Sequence, residues 1–374
     1  MKFSQYLRPF SVLLLLACTT SAGIAQKSIT KPIRVKKPDN IILFIGDGMG
    51  VAQVYAGLTR NQGQLNLRKF RSLGFSMTYS ASDYITDSGA GGTAISTGNK
   101  TYNGAIGVDR AGVPCKTILE FAEEKGLSTG LVSTSSITHA TPASFIAHEK
   151  FRDDYEAIAS DFLDTDIDVF IGGGRNNFTA RKDKRNLVQE LRDKGYQVIY
   201  SMDSVAGIQH GKLAGLVVPE HAPSMLQGRG DMLPLASATA INILSKNRKG
   251  FFLMVEGSQI DWGAHANNTD IVATEMIDLD KAIGKALEFA EKDRNTLVIV
   301  TADHETGGMI LIGGDYQKGT LTAKFGTTDH TGVMVPVFAW GPGAELFQGI
   351  QENTDIFKKM MMLLELNPET PVQQ

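Results

Sequence analysis

Short apolar runs alternate along the chain with longer segments of helical periodicity. The first run, Ile41–Ile45, has the length of a strand and contains no polar residue, which is typical of a strand buried on both faces of a parallel sheet. Repeated alternation of such strands with helices predicts an α/β fold, a doubly wound sandwich whose central, mostly parallel sheet has helices on both faces. Further strands are predicted at Thr129–Ser133, Val169–Ile171, Gln197–Tyr200, Phe251–Val255, Leu297–Val300 and Val335–Ala339.

The helix predictions rest on apolar side chains at intervals of three and four residues. The longest helix covers Asp270–Lys292, where Asn268 or Thr269 is in position to cap the first turn. The last, Asn353–Leu366, is rich in Met and Leu and is predicted to pack on the core. Gly-Gly and Lys-Gly turns within Gly313–Gly326 predict a small hairpin. Further helices are predicted at Cys115–Lys125, Arg185–Lys194 and Leu235–Asn247.

The first 25 residues predict a secretory signal peptide. Lys2 and Arg8 precede the apolar run Val12–Ala17, which is too short to span a membrane. Cleavage after Ala25 is the main prediction. The alternative is a Leu-Leu-Ala-Cys segment that is similar to a bacterial lipoprotein box and would leave a lipidated Cys18. Either processing predicts a periplasmic or secreted protein.

The remaining chain is predicted to contain a solvated linker, residues 26–39, and one globular domain, residues 40–368. The chain of 374 residues is 42% hydrophobic, which suffices for the core of one large α/β domain. Its net charge of −3 argues against nucleic acid or an anionic membrane surface as the main partner. Only Cys115 lies outside the predicted leader, so an intramolecular disulfide is not expected.

Residues of the types that bind metals in proteins, Asp, Glu and His, stand where several predicted strands end. Asp47 stands between two glycines after the first strand, Glu256 follows Phe251–Val255, and Asp303 and His304 follow Leu297–Val300. The carboxyl ends of the strands in such sheets are where ligands gather. The sequence therefore predicts that these residues meet at one edge of the sheet and hold at least one metal ion.

Two further segments add ligand types that suit Zn²⁺. Asp261 and His265 are four residues apart, so a helical turn places both on one face. His330 lies just before the last predicted strand. Each residue alone also has an ordinary explanation: Asp47 could cap a helix beginning near Val51, and a lone His is more often a satisfied polar residue. Repetition at successive strand ends favours the metal interpretation.

Ser88 is the candidate nucleophile. It lies in T-D-S-G-A-G-G-T-A, where small residues allow a helix to begin with exposed backbone N–H groups, which form an anion site. A helix cap is the alternative at this position, and the Gly-x-Ser-x-Gly pattern of α/β-hydrolases is absent. Arg152, downstream of H-A-T-P-A, has the planar fork that binds tetrahedral oxyanions, although an Arg in a polar stretch is usually solvated.

Six segments together resemble the alkaline phosphatase family, from about Asn40 to about Gly343. They occur in the family's order and at compatible spacings, so the combination is far more specific than any single segment. The segments are N-I-I-L-F-I-G-D-G-M-G, T-D-S-G-A, H-A-T-P-A, M-V-E-G-S-Q-I-D, T-A-D-H and D-H-T-G.

The resemblance implies an alkaline-phosphatase-like fold and a phosphoric monoester hydrolase that releases inorganic phosphate. It implies a phosphoserine intermediate at Ser88, two Zn²⁺ and one Mg²⁺, and a phosphate-binding role for Arg152. His139 and Trp262, which stand where family members vary, are implied to lie near the magnesium and the phosphate. The implied ligands are Asp261, His265 and His330 for one zinc, Asp47, Asp303, His304 and Ser88 for the other, and Asp47, Thr141 and Glu256 for the magnesium.

Two alternatives to this function are open from sequence. One is an enzyme of the same superfamily that acts on phosphodiesters or sulfate esters, against which the implied magnesium ligands Thr141 and Glu256 speak. The other is an exported phosphate- or metal-binding protein without turnover, against which the complete set of implied ligands speaks. The resemblance also implies a homodimer, although the small excursion at Gly313–Gly326 indicates that the family's extra surface domain is reduced.

Overall fold

The computed structural model describes residues 35–366. The predicted signal peptide, the lipoprotein box at Cys18, residues 26–34 of the predicted linker and the last two residues of the predicted domain lie outside this range, so these predictions stay predictions. No helix within the described range combines the length and the apolar character that a membrane span requires.

Fourteen strands are present in the described part of the chain, and ten of them form one sheet. In chain order they are β1 Asn40–Gly46, β2 Ser72–Met77, β3 Ser128–Ser136, β4 Val169–Gly173, β5 Gln197–Ile199, β6 Leu213–Leu216, β7 Phe251–Gly257, β8 Thr296–Thr301, β9 Glu305–Thr306, β10 Ile310–Asp315, β11 Thr320–Lys324, β12 His330–Thr331, β13 Val335–Trp340 and β14 Gly349–Glu352.

The large sheet has the strand order β14-β2-β13-β8-β1-β7-β3-β4-β6-β5. Only β13 runs against its neighbours; the seven strands from β8 to β5 are all parallel. β1 lies at the centre, between β7 and β8, and all of its residues are buried. The predicted mostly parallel sheet is confirmed. The predicted hairpin is β10 paired with β11, and it begins at Ile310 rather than Gly313.

Twelve α-helices are described, and they pack on both faces of the sheet. Their bounds are α1 Val51–Arg60, α2 Ser88–Thr97, α3 Ile118–Lys125, α4 Ala140–Ala143, α5 Tyr155–Asp161, α6 Arg175–Thr179, α7 Leu187–Asp193, α8 Met202–Ala206, α9 Met232–Leu244, α10 Gln259–His265, α11 Thr269–Asp293 and α12 Asn353–Leu363.

The two faces of β1 have separate cores. Ile42 and Phe44 belong to the apolar cluster that α1, α9 and α11 cover. Neighbouring side chains of a strand point to opposite faces, and on the other face α3 and α4 contact β3 and β7. The stacked rings of Phe145, just after α4, and Phe252 of β7 belong to this second layer. This arrangement is the predicted sandwich.

Most predicted elements are present with shifted ends. α11 is capped by Asn268, whose side chain accepts from the N–H groups of Asp270 and Ile271. α3 begins at Ile118 rather than Cys115 because Thr117 forms a capping box with Glu120. Of the ten strands in the large sheet, the predictions missed β2, β6 and β14. β2 and β14 lie at one edge of the sheet and are partly exposed, so they lack the continuous apolar run of a buried strand.

Candidate metal and active site

Asp47 directly follows the last residue of β1, and the residue after it has to be a glycine. Gly48 has φ +73°, and a Cβ there would lie 2.7 Å from the Cα of Asp261. This close approach brings α10 against the end of β1. The capping alternative for Asp47 is wrong: α1 begins after Gly50, and Gln53 accepts the Gly50 N–H.

Three groups of possible metal ligands lie at the carboxyl edge of the sheet within the described residues. The first cluster is Asp261, His265 and His330; the second cluster is Asp47, Asp303 and His304; the third cluster is Asp47, His139 and Glu256. The atoms that each group offers lie within 4.8 Å of one another. The second and third clusters share Asp47.

In the first cluster, two imidazoles face one carboxylate. The Nε2 atoms of His265 and His330 lie 3.3 and 3.6 Å from Asp261 Oδ1 and 3.2 Å from each other. The Nδ1 atom of His330 lies 2.9 Å from the carbonyl of Thr86, and that of His265 contacts the carbonyl of Thr328. Because each Nδ1–H can donate to its carbonyl, both Nε2 lone pairs can point inward, as metal-bound histidines require.

In the second cluster, His304 Nε2 lies 3.4 Å from Asp47 Oδ1 and 3.3 Å from Asp303 Oδ2. The hydroxyl of Ser88 is 3.2 Å from the same nitrogen. Asp47, Asp303 and His304 have no exposed surface. The predicted nucleophile is thus in contact with a predicted metal ligand.

The third cluster differs from the predicted magnesium set by including His139. Thr141, on α4, donates its hydroxyl to Asp47 Oδ2 over 3.5 Å and so lies beside this cluster. The hydroxyls of Ser133 and Ser135 donate to Glu256 Oε2. This leaves Glu256 Oε1 to face the cluster.

Several atoms in the second and third clusters fit a cation better than a proton. Asp47 Oδ1, Asp303 Oδ2, Glu256 Oε1 and His139 Nδ1 are buried and have no hydrogen-bond partner among the described residues. Burial and then neighbouring carboxylates raise the pKa of Asp47 and raise that of Asp303 to about 6, and burial raises the pKa of Glu256. Burial lowers the pKa of His304 to about 4, which keeps the ring neutral. Buried carboxylates and neutral imidazoles without partners are what a divalent metal site requires.

Ser88 is the first residue of α2 and not its cap, so the capping alternative is wrong. Asp87 is the N-cap and accepts the N–H of Ala90 at 2.9 Å. A Cβ on Gly91 would lie 3.1 Å from the Cβ of Asp303, so glycine lets the first turn of α2 lie against the second cluster. Ala90 and Gly91 donate their backbone N–H groups to Asp87, so the predicted anion site would use the N–H groups of Ser88 and Gly89.

Arg152 is held by Asp87, a partner that the sequence does not predict. Its Nη1 donates to Asp87 Oδ2 at 2.8 Å, and its backbone N–H donates to the carbonyl of Gly104. Burial opposes ionisation of Asp87, but the Arg152 charge and the Ala90 N–H outweigh it and lower the pKa of the carboxyl. The pair therefore fixes a charged guanidinium next to the predicted nucleophile, Ser88. The T-D-S segment is typical of a helix cap at Asp87, but no sequence pattern indicates that Asp87 pairs with Arg152.

Three rings stand beside the third cluster. The centroids of His139 and Trp262 are 6.0 Å apart and nearly perpendicular, and His221 lies 5.5 Å from His139 and 4.8 Å from Trp262. His221 accepts the Ser136 N–H at its Nδ1. His221 is not predicted from the sequence, because an isolated His in a loop after β6 gives no signal. The structure thus brings all the predicted site residues to one edge of the sheet.

A profile described as alkaline phosphatase matches residues 38–324 and 312–366. The chain belongs to the alkaline phosphatase family. It is 36% identical to alkaline phosphatase 4 of Bacillus subtilis over 93% of this chain and 94% of that protein. It is 34% identical to the alkaline phosphatase of Escherichia coli K12 over 88% of this chain and 87% of that protein.

Solved structures of alkaline phosphatases share this fold. The enzyme from the Antarctic bacterium TAB5 is 43% identical and superposes with a TM-score of 0.85, covering 89% of this chain and all of that chain. The enzyme from a psychrophilic Shewanella is 33% identical with a TM-score of 0.80, covering 87% of this chain and 99% of that chain. The predicted family, fold class and enzyme class are confirmed: the protein is a metal-dependent alkaline phosphatase, a phosphoric monoester hydrolase.

Proposed function

We propose that the enzyme hydrolyses phosphate monoesters through a phosphoserine at Ser88, with two Zn²⁺ and one Mg²⁺ in its site. The observation that carries the proposal is the 3.2 Å contact between Ser88 Oγ and His304 Nε2, in a cluster that contains two buried carboxylates. A serine in this position is a nucleophile whose proton can be lost at neutral or alkaline pH.

The donor types support the assignment of the ions. The first cluster, with two imidazoles and one carboxylate, suits Zn²⁺, and so does the second cluster together with Ser88. Asp47, Thr141 and Glu256 offer oxygen atoms, which Mg²⁺ prefers. His139 contributes a nitrogen to the third cluster. Because Mg²⁺ prefers oxygen ligands, the third cluster is a weaker magnesium site than one built from oxygen alone.

The reaction has two displacements at phosphorus. Ser88 Oγ attacks the phosphoryl group, so the Ser88 O–P bond forms as the ester P–O bond breaks and the alcohol leaves. Water then attacks the phosphoseryl group, which releases inorganic phosphate and restores Ser88. When bound, the ions supply Lewis acidity, which lowers the pKa of Ser88 and water and neutralises charge on the reacting oxygens.

Arg152 and the first turn of α2 hold the phosphoryl oxygens that do not react. Asp87 already orients the guanidinium by accepting a hydrogen bond from Nη1. The remaining N–H groups of Arg152 can then donate to the phosphoryl oxygens of the substrate. The N–H groups at the start of α2 add dipoles that point at the same charge. His139 and Trp262 border the phosphate side of the site and shape the space for the leaving group.

Activity measurements test this proposal. Hydrolysis of p-nitrophenyl phosphate and bis-p-nitrophenyl phosphate is compared at alkaline pH, after chelation and after return of Zn²⁺ and Mg²⁺. We expect monoester preference that depends on metal, and at least about a thousandfold loss in Ser88→Ala. Ser96→Ala, at the far end of the same helix, is the control and keeps activity. Diester preference would favour a phosphodiesterase, and no turnover by the metallated protein would leave only binding.

We also propose that the chain forms a homodimer. Leu73, Phe75 and Ile350 are between 41% and 65% exposed, and Phe75 of β2 pairs with Ile350 of the edge strand β14. An exposed apolar edge of this kind associates unless something covers it. Light scattering of the eluted protein should give twice the chain mass, and Phe75→Lys should give a monomer. A monomeric wild type contradicts the proposal.

For location, we propose a periplasmic or secreted enzyme that has lost residues 1–25. Lipidation at Cys18 is the alternative. N-terminal sequencing of the mature protein separates the two, because simple cleavage gives an N-terminus at Gln26.

A further inference from the structure

Thr306 contacts one residue of the first cluster and one residue of the second cluster. Its hydroxyl donates to Asp261 Oδ1 and lies 3.2 Å from His304 Nδ1, and the residue is fully buried. We propose that Thr306 is a positioning residue shared by two metal sites, which fixes the carboxylate of Asp261 and the ring of His304 through one hydroxyl. This inference rests on the ligand roles of the proposed function.

The direction of each hydrogen bond follows from the groups involved. An ionised carboxylate only accepts, so the single hydroxyl proton of Thr306 goes to Asp261. The hydroxyl oxygen is then free to accept, and the atom within reach is His304 Nδ1. His304 must therefore carry its proton on Nδ1. This leaves the Nε2 lone pair facing Asp47, Asp303 and Ser88, as a metal ligand requires.

The backbone of Thr306 is held from three sides, which makes its hydroxyl a fixed reference point. Its N–H donates to the carbonyl of Gly48 at 3.2 Å, and its carbonyl accepts from Gln53 Nε2 at 2.8 Å. In the pairing of β9 with β12 it lies opposite His330, a ligand of the first cluster. A Cβ on Gly48 would lie 2.8 Å from Thr306 Oγ1, so the glycine after Asp47 also makes room for this hydroxyl.

This chain of hydrogen bonds runs from His304 through Thr306 to Asp261 and so joins the two clusters. The Thr306 hydroxyl can donate to Asp261 and accept from His304 in one orientation only. A change in the position or charge of either ligand therefore affects the other. Loss of the hydroxyl should weaken metal binding in both the first and the second cluster.

The experiment measures Zn²⁺ affinity by competition with a chelator of known affinity, in the full-length protein and independently of turnover. Thr306→Val removes the hydroxyl at constant shape, Thr306→Ala removes it with a smaller side chain, and Thr306→Ser keeps it. We expect both Zn²⁺ equivalents to bind about 10- to 100-fold more weakly in the Val and Ala variants, the range found for residues that orient metal ligands. The Ser variant should stay within about threefold of wild type, because it retains the same donor and acceptor.

Thr301→Val is the matched control. Thr301 is also buried and lies five residues earlier, but its hydroxyl donates to the carbonyls of Pro336 and Ala302 and contacts neither cluster. Unchanged affinity in this variant excludes a general effect of removing a buried hydroxyl. If Thr306→Val does not fold, Thr306→Ala carries the comparison with Thr306→Ser.

Two outcomes overturn the shared role: wild-type affinity in both Thr306→Val and Thr306→Ala, or loss of only one of the two Zn²⁺ equivalents. If the proposed function itself is wrong, the wild-type protein will not bind two Zn²⁺ ions at these clusters. That result differs from either outcome in the Thr306 variants. Weakening of both equivalents that Thr306→Ser restores supports the proposal.

Discussion

The guanidinium of Arg152, which we propose binds phosphate, is oriented by Asp87. Asp87 serves as the N-cap of α2 through Oδ1 and as the partner of Arg152 through Oδ2. One carboxylate therefore sets both the start of the helix and the direction of the fork. Neither task needs a metal ion, so phosphate recognition and metal binding can be separated by experiment.

We predict that Arg152→Ala weakens phosphate binding without loss of metal. A hydrogen bond to a charged group contributes about 1.5–3 kcal/mol, which corresponds to a factor of roughly 10 to 150. The inhibition constant of inorganic phosphate should rise and kcat/KM should fall by factors in this range. Arg152→Lys keeps the positive charge but not the planar fork, so its inhibition constant and kcat/KM should lie between those of the wild type and Arg152→Ala. An unchanged inhibition constant would remove Arg152 from the phosphate site.

His139 sets the metal preference of the third cluster in our interpretation. We predict that His139→Asp lowers the Mg²⁺ concentration for half-maximal activation by about tenfold, because Mg²⁺ prefers charged oxygen ligands to imidazole. Titration of the zinc-loaded enzyme with Mg²⁺ measures this. His139→Asn, which supplies oxygen without charge, is the control and should show a smaller change. The same midpoint in all three proteins would mean that residue 139 does not face the ion.

At the scale of elements, the small residues of α2 determine how close the nucleophile lies to the second cluster. Gly91 faces Asp303, where a Cβ would have both the Cβ and the carbonyl oxygen of Asp303 at 3.1 Å. Alanine at this position favours the helix by about 0.8–1 kcal/mol but forces α2 outward by a few tenths of an ångström. Helix stability alone therefore favours alanine at position 91, whereas the close approach of Ser88 to the second cluster favours glycine.

We predict that Gly91→Ala folds as stably as wild type within about 1 kcal/mol and loses about tenfold in kcat, because small displacements of reacting groups slow catalysis strongly. Urea unfolding and steady-state kinetics measure the two effects. Gly207→Ala is the matched control, since Gly207 has a negative φ and a Cβ there would meet only the carbonyl of Ser204 at 3.4 Å. A fully active Gly91→Ala would show that the first turn tolerates the displacement.

Elements also show why some features could be predicted from the sequence and others could not. β1, β7 and β8 are buried on both faces, so continuous apolar runs identify them, and a polar residue just beyond such a run must lie at the edge of the sheet. Asp47, Asp303 and the strand residue Glu256 were predicted on this basis. The partner of Arg152 and the contacts of Thr306 with Asp261 and His304 depend on how distant segments pack, and no local pattern encodes such contacts.

At the scale of the whole molecule, the three clusters join segments that are far apart in sequence. They connect the ends of β1, β7 and β8 with α10, β12 and His139, the residue before α4. The carboxylates of Asp47, Asp303 and Glu256 lie close together without exposed surface, so their mutual repulsion opposes folding when nothing compensates it. We therefore expect cations at this edge to stabilise the folded protein as well as to serve the proposed chemistry.

We predict that chelation lowers the melting temperature and that Zn²⁺ restores it in a concentration-dependent manner. A ligand that binds only the folded state adds about 2.7 kcal/mol per site at a free concentration 100 times its dissociation constant. Two or three such sites together therefore contribute several kcal/mol, and the melting temperature should rise with Zn²⁺ and then further with Mg²⁺. Thermal unfolding followed by circular dichroism measures this in the chelated and reloaded protein.

Asp303→Asn provides the decisive comparison for this prediction. The variant loses one ligand of the second cluster but also one buried negative charge, so its metal-free form should melt at a higher temperature than metal-free wild type while its response to Zn²⁺ is smaller. A lower melting temperature in the metal-free variant would show that Asp303 is compensated within the protein. The clusters would then be stable networks in their own right, and the cations would serve the chemistry alone.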